Sequence, residues 1–410
     1  MAVILNLLRC SAPALFLGLP LTFSSNFGQT FFISIFASDV RIELDLSHGE
    51  FGGIYAAATI ISALFFIWLG KLIDYFDYLR ISAASLLGLS LCIAIFAGAN
   101  SAVLLFIGLF GMRLFGQCML GHIVVAVVAR EYTKRRGRAL GLATLGYPAG
   151  EAIIPILVAF CMTFSTWREI CVSLAVIVTV LITPVFLWLN SRVRSVGLAG
   201  SRKKIETEDA LRTWNRMQVL KDPRFYALLP GILSTPFIIT GVLFHQIHLI
   251  ETKAWIVTSF AWCYPLYAIS ATITTLASGW IVDRIRAVNL LRFYLLPLAV
   301  GLMFLATIKS FYVAPIFMLL MGVTAGGATV LLGAIWAELY GTQHIGAIRS
   351  LCAALIVFAT AISPVIMGFL VDVGFGLEVQ YLVLSAYLFV CLFYLKKLTP
   401  SLKLQTAPPA

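Results

Sequence analysis

Two lone charges stand inside consecutive apolar runs of this 410-residue chain, Arg113 within residues 102–129 and Glu151 within residues 139–163. A charge in hydrocarbon is costly unless it is paired or lines a watery path, so such a residue marks a functional site. The first run is read as descending to an inner face and the second as returning outward, with a basic loop between them. Arg113 lies 17 residues before Arg130 and Glu151 lies 14 after Gly137. At 1.5 Å per helical residue they sit about 25 and about 21 Å above the inner ends of their helices, a difference that two long side chains can bridge. A carboxylate in apolar surroundings takes up a proton unless a cation holds it ionised. That is the chemistry of a coupling switch, in which a substrate anion and a proton compete for Arg113 and Glu151. The same spacing fits a permanent ion pair that only joins two helices, or two charges that never meet.

Other polar side chains extend this candidate surface. Gln117 lies one turn from Arg113, and Tyr147 one turn before Glu151, where it could donate to the carboxylate or simply pack. Thr22, Asn26 and Gln29 share a face of the first apolar run, with Gly28 beside them. Polar amides in lipid face the bundle interior, where they either hydrogen-bond neighbouring helices or line a cavity. His245 and Gln246 occupy a comparable place in the seventh run; an interfacial histidine without a substrate role is the other reading of His245.

The elements that must position these residues follow from composition. The chain is 61% hydrophobic and only 11% charged, with a mean hydropathy of +0.99, more apolar surface than a soluble protein of this size can hide. Twelve runs are long enough to cross a bilayer as helices: 12–37, 51–73, 81–99, 102–129, 139–163, 168–190, 224–249, 256–282, 288–308, 311–337, 345–371 and 379–396. The first exceeds the 7–15 residues of a signal-peptide core and is read as a retained helix. The predicted fold is therefore an all-α integral membrane protein. Its domains are a six-helix bundle over 1–190, a cytoplasmic linker over 191–223, a second six-helix bundle over 224–400 and a short cytoplasmic tail over 401–410.

The net charge of +11 is explained by its placement rather than by nucleic acid. With both termini inside, about 24 of the 29 Lys and Arg fall in or beside cytoplasmic loops, as the positive-inside rule requires. Eight scattered cysteines show no metal-site or disulfide spacing. No phosphate-binding loop G-x-x-x-x-G-K-[ST] is present, which argues against direct ATP drive, and no H-E-x-x-H or G-x-S-x-G points to an enzyme.

The two halves repeat. Gly70-Lys-Leu-Ile-Asp74 recurs as Gly279-Trp-Ile-Val-Asp283 at an offset of 209, Tyr132 as Tyr340 at 208, and Pro155 as Pro364 at 209. Phe27-Gly-Gln29 pairs with Phe244-His-Gln246 at 217, the larger value reflecting a longer loop after the first run. Parallel six-helix halves are a known transporter architecture.

With these motifs on the page, the chain resembles the major facilitator superfamily over essentially its whole length. Gly70, Asp74 and Arg80 are similar to the superfamily's signature between helices two and three, and Gly279, Asp283, Arg284 and Arg286 form its second copy. Asp77 stands where glycine is often found. Gly111-Met-Arg113-Leu-Phe-Gly116-Gln117 looks like the Arg-containing motif of helix four. Arg135-Arg136-Gly137-Arg-Ala-Leu-Gly141 with Gly146-Tyr-Pro148-Ala-Gly150 and Pro155 resembles the monocarboxylate-porter and oxalate/formate-antiporter branches.

The resemblance implies a secondary transporter without cofactor or metal, working by alternating access. Symport or exchange of a small organic anion with protons is the expected activity. It also implies gating roles for Asp74 and Asp283, whose alternative is loop capping. Efflux of a neutral or amphiphilic compound is the competing reading, and a non-transporting sensor on the same scaffold a third. The expected setting is a bacterial inner membrane, with the protein monomeric and a small molecule and the lipid bilayer as its partners.

Overall fold

A computed structural model describes residues 15–131, 136–194, 214, 216–282, 284–341 and 345–404. Among the described residues every regular element is a helix. The chain divides into two compact units, Met1–Lys204 and Ile205–Ala410. The end of each unit that carries the basic connections is called inner below.

The first unit holds α1 (residues 15–35), α2 (His48–Leu69), α3 (Tyr78–Ala97), α4 (Ala102–Val128), α5 (Ala139–Cys161) and α6 (Trp167–Ser191). The second holds α7 (Pro223–Phe244 continued by Gln246–Thr252), α8 (Val257–Val282), α9 (Leu296–Thr307), α10 (Val313–Tyr340), α11 (Ile345–Asp372) and α12 (Leu377–Leu404). Ten of these are long and apolar enough to cross a membrane, and α9 is a shorter apolar helix. Among the described residues all twelve expected runs are mostly helical; turns interrupt the fifth at Thr144–Leu145, the eighth at Trp262–Cys263 and the ninth at residues 291–295, and two further departures bear on the site.

The first departure is in α1. Its helix tightens at Asn26–Gly28, and Gln29 adopts an extended backbone, φ −83° and ψ 155°, before the helix resumes at Thr30–Ile35. The second is in α7, interrupted at His245, φ −95° and ψ 19°. The two breaks fall within one residue of positions matched by the 217-residue offset, so the repeat extends to backbone irregularity. Broken membrane helices persist only where neighbouring protein satisfies the freed backbone groups.

Helix starts follow local chemistry. Ser47 and Thr166 each form a capping box with the glutamate three residues on, Glu50 and Glu169, at the outer ends of α2 and α6. Asp222 caps α7, followed by Pro223 where no backbone N–H is needed. The most exposed side chains of the helix centres are apolar, among them Leu64, Val180, Leu276, Val383 and Val390. An apolar outer surface of that kind is matched to lipid rather than to water.

Each unit is stapled at its outer end by a cation. In the first, Arg168 at the start of α6 bonds Glu43 at 2.7 Å and donates to the carbonyls of Ala97, the last residue of α3, and of Ala99 just past it, the latter at 2.6 Å. Trp167 also donates to Glu43, at 3.0 Å. In the second, Lys253 after α7 bonds Glu378 at the start of α12 at 3.1 Å and donates to Ile308 at the end of α9 at 3.0 Å. Glu43 matches Lys253, and Arg168 matches Glu378, both at an offset of 210. The repeat keeps the clasp and inverts its charges.

Candidate functional site

The site grows from the break in α1. Gly28 sits against α4 so closely that a Cβ there would meet the Met112 carbonyl and come within 2.7 Å of the Gln117 nitrogen; a Cβ on Gly116 would likewise come within 2.9 Å of the Gly28 backbone. Only hydrogen side chains allow this backbone-to-backbone contact. Here α4 widens to i→i+5 hydrogen bonding over Met112–Leu120. Wide turns of this kind are rare and often accompany function.

Arg113 lies at the start of that turn and is only 1% exposed. One guanidinium nitrogen donates to the Gly28 carbonyl at 3.1 Å, an acceptor freed by the break in α1. The guanidinium lies 5.1 Å from the ring centre of Tyr55, a cation–π contact. Its Nε has no hydrogen-bond partner. Tyr55 is fixed in turn by Thr30, just past the break, at 2.6 Å.

Glu151 is half-buried on α5. The ion pairs of the described residues include Arg168–Glu43, Arg224–Asp222, Lys253–Glu378 and Arg286–Glu338, and none joins Arg113 to Glu151. The Arg113–Glu151 bridge that the depth match allowed is therefore not formed. The reason is local: the broken turn of α1 lies against α4, and the guanidinium is held by its carbonyl and by Tyr55. Tyr147 packs its hydroxyl on Gly121 of α4, lies beside Ser25 of α1, and is within electrostatic range of Glu151.

The expected α1 residues divide. The Asn26 amide nitrogen is within 3.4 Å of four carbonyls, Thr22 and Phe23 of its own helix and Gly146 and Tyr147 of α5. It is fully buried, so the geometry gives it the inter-helix role that the sequence left open. Thr22 acts likewise, donating toward Ala143 at 3.1 Å. Gln29 lies half-buried at the break itself, and Gln117 is half-buried on the wide turn.

In the second unit, His245 is buried at the α7 break with Nε2 3.2 Å from the Pro364 carbonyl. Gln246 accepts from Tyr264 at 2.5 Å. Tyr264 is the repeat partner of Tyr55 at an offset of 209, and each tyrosine bonds a polar residue just past a break. The sequence reading missed both, because a tyrosine raises no alarm in an apolar run; the offset was the signal that could have found them.

The gating residues lie at the inner ends. The Gly70 carbonyl is 3.2 Å from His122 Nε2, beside a groove of about 340 Å³ lined by Phe66, Ile67, Lys71, Ile73 and Ala126. Arg80 is exposed, and Gly279 has open space where a Cβ would go. Arg284 stacks 3.7 Å from the Trp280 ring centre. Arg286 pairs with Glu338 at 2.5 Å, and Glu338 also accepts the Ala287 N–H at 2.7 Å. Glu338 is a partner that the motif did not reveal. The Asp74 side chain, Asp283, Tyr132 and the basic run at Arg135 and Arg136 lie outside the described residues or side chains.

The family model of the Major Facilitator Superfamily matches residues 18–311 and 238–409. The chain belongs to this superfamily. Among solved structures it is similar to a bacterial homolog of the human lysosomal transporter Spinster, captured inward-facing and unoccupied, with a TM-score of 0.73 at 15% identity over 95% of this chain and 97% of that one. It is also similar to the nucleoside transporter NupG, with a TM-score of 0.71 at 13% identity over 95% and 99% of the two chains. No curated protein matches it. Superfamily membership and these neighbours make the chain a membrane transporter rather than an enzyme. The expectation of a monocarboxylate or oxalate/formate branch is not among these findings.

Proposed function

We propose that this transporter moves a small organic anion by alternating access, coupled to protons, with Arg113 as the anion's anchor and Glu151 as the proton-carrying group. The observation that carries this reading is that Arg113 is buried and has no carboxylate within ion-pair distance among the described residues. A desolvated guanidinium with a free edge is a ready partner for a carboxylate, which it can hold through charge-assisted hydrogen bonds. The competing efflux reading is favoured by an Arg113 already neutralised by Glu151, and the two do not form an ion pair.

The repeat supports the same reading. The register places Met321 or Gly322 at the level of Arg113, and Thr360 at that of Glu151. The second unit builds the same helix packing without either charge, so the scaffold does not require them. In this reading the basic connections and both termini face the cytoplasm of a bacterial cell, and the transporter works as a monomer.

The test is thermal-shift melting of the purified protein against mono- and dicarboxylates, neutral nutrients and cationic drugs at two pH values. A ligand of the folded state raises its apparent stability by mass action. Carboxylates are expected to stabilise the wild type and not Arg113→Ala. Stabilisation only by neutral or cationic compounds would overturn the anion reading in favour of efflux.

A further inference from the structure

We propose that the Tyr147 hydroxyl, seated on Gly121 of α4 and flanked by Ser25 of α1, relays protons between Glu151 and the inner side of the first unit. The inference rests on the proton-coupled reading above and names a route for it.

The geometry has four parts. First, α5 runs outward, and Tyr147 precedes Glu151 by four residues, so its hydroxyl-bearing residue lies on the same face and about 6 Å nearer the inner end. Glu151 lies within electrostatic range of this phenol, with no hydrogen bond between the two in this structure. Second, the hydroxyl rests on Gly121, where any Cβ would collide with it. The phenol is thus wedged between α5 and α4 rather than free to turn outward. Third, Ser25 lies beside it, yet the Ser25 Oγ has no hydrogen-bond partner of good geometry. The neighbouring Asn26 Oδ1 is likewise buried without a partner, and both residues are fully buried. A buried hydroxyl left unbonded is costly unless something occupies its capacity, and a passing proton carrier does so. Fourth, the register places Ile356 at the level of Tyr147 in the second unit. The packing does not need a phenol there.

Few other groups compete for the proton. The α1 segments packed against α5, Asn26–Gly28 and Thr30–Ile35, contain no ionisable side chain. The facing part of α4 contributes Arg113, Cys118 and His122. His122 is directed to the Gly70 carbonyl and the Phe66 ring of α2, and Cys118 interacts with Ser62 of α2.

The step is a concerted transfer. With the Glu151 side chain turned onto the phenol, the Tyr147 O–H bond breaks as an O–H bond forms on a Glu151 carboxylate oxygen, while the phenol oxygen takes a proton from a hydronium ion on the Ser25 side, leaving water. Tyrosine is regenerated and nothing is oxidised or reduced.

The test separates how many protons bind from how fast they arrive. The full-length protein, in detergent and nearly unbuffered, is mixed with acid in a stopped-flow instrument, and proton uptake is followed with a pH-indicator dye. Glu151→Gln is expected to remove one proton from the total; an unchanged total would overturn the proton-coupling reading itself. Tyr147→Phe is expected to keep the wild-type total and slow its arrival about tenfold or more, as loss of a positioned proton-transfer group does. Ser25→Ala should slow it likewise. Gly121→Ala keeps every titrating group and displaces the phenol, so it provides an independent check should Tyr147→Phe not fold. If the total falls in Glu151→Gln but uptake is as fast as wild type in the folded Tyr147, Ser25 or Gly121 variants, the relay is wrong and the coupling reading stands.

Discussion

At the scale of single residues, the position of Arg113 depends on a glycine that does no chemistry. Gly28 lets the broken turn of α1 touch α4, and its carbonyl accepts from the guanidinium. Gly28→Ala would force the two backbones apart. Overpacking of this kind costs about 1–3 kcal/mol, so the variant should melt measurably below wild type and also lose carboxylate stabilisation. A melting temperature equal to wild type would mean that the contact is not tight. Arg113→Lys is a gentler probe. It keeps the charge and gives up the planar fork that can donate to Gly28 and a carboxylate while lying on Tyr55. We expect carboxylate binding at least about tenfold weaker with the melting temperature of the unliganded protein nearly unchanged; unaltered affinity would show that only charge matters. Both ionisable residues were legible in the sequence because a charge in an apolar run is costly and stands out against its neighbours. Their mutual geometry was not. Depth along two straight helices gave the level of each, but which way the guanidinium turns is decided by a break in a third helix, which no hydropathy pattern marks.

At the scale of elements, the outer clasps fix where three helices of each unit end. Arg168 holds the Glu43 carboxyl below its ordinary value of 4.5, chiefly through its hydrogen bonds, with Trp167 adding to the effect. A depressed carboxyl contributes stability above the unfolded value, and that contribution disappears as pH falls through the folded value. The wild type should therefore melt higher than Glu43→Gln at neutral pH, with the difference shrinking below about pH 4.5. A difference that persists in acid would show that the carboxyl acts by packing rather than by charge. The clasps also show what sequence reading could not supply. Glu43, Arg168 and Lys253 stand at or beside the ends of apolar runs with no motif around them. The carbonyls they satisfy, at Ala97, Ala99 and Ile308, are helix ends and leave no mark in the pattern of side chains. The helices themselves were readable because twenty apolar residues in a row have one economical structure in a bilayer.

At the scale of the whole molecule, the two units are alike in architecture and unlike in charge, and that contrast sorts scaffold from function. Features present in both are the broken first helix, the buried tyrosine beyond it, the internal prolines Pro155 and Pro364 and the outer clasp. Each has survived in a second sequence context within the same chain, so each answers to packing. The clasp makes this plain: with its charges inverted it joins equivalent helix ends, so a swapped pair, Glu43→Lys with Arg168→Glu, should restore most of the stability that either single change removes. Arg113, Tyr147 and Glu151 have no polar charge-bearing counterpart, since Met321 or Gly322, Ile356 and Thr360 stand at their levels. The double variant Arg113→Met with Glu151→Thr therefore gives the first unit side chains that the second already accommodates. It should reach the membrane, melt within a few degrees of wild type, and neither take up a proton on acidification at this site nor be stabilised by carboxylates. Burying an unpaired charge is unfavourable, so its removal costs the scaffold little; a large fall in melting temperature would show instead that the two charges hold α4 and α5 in place, and would return Arg113 and Glu151 to the scaffold.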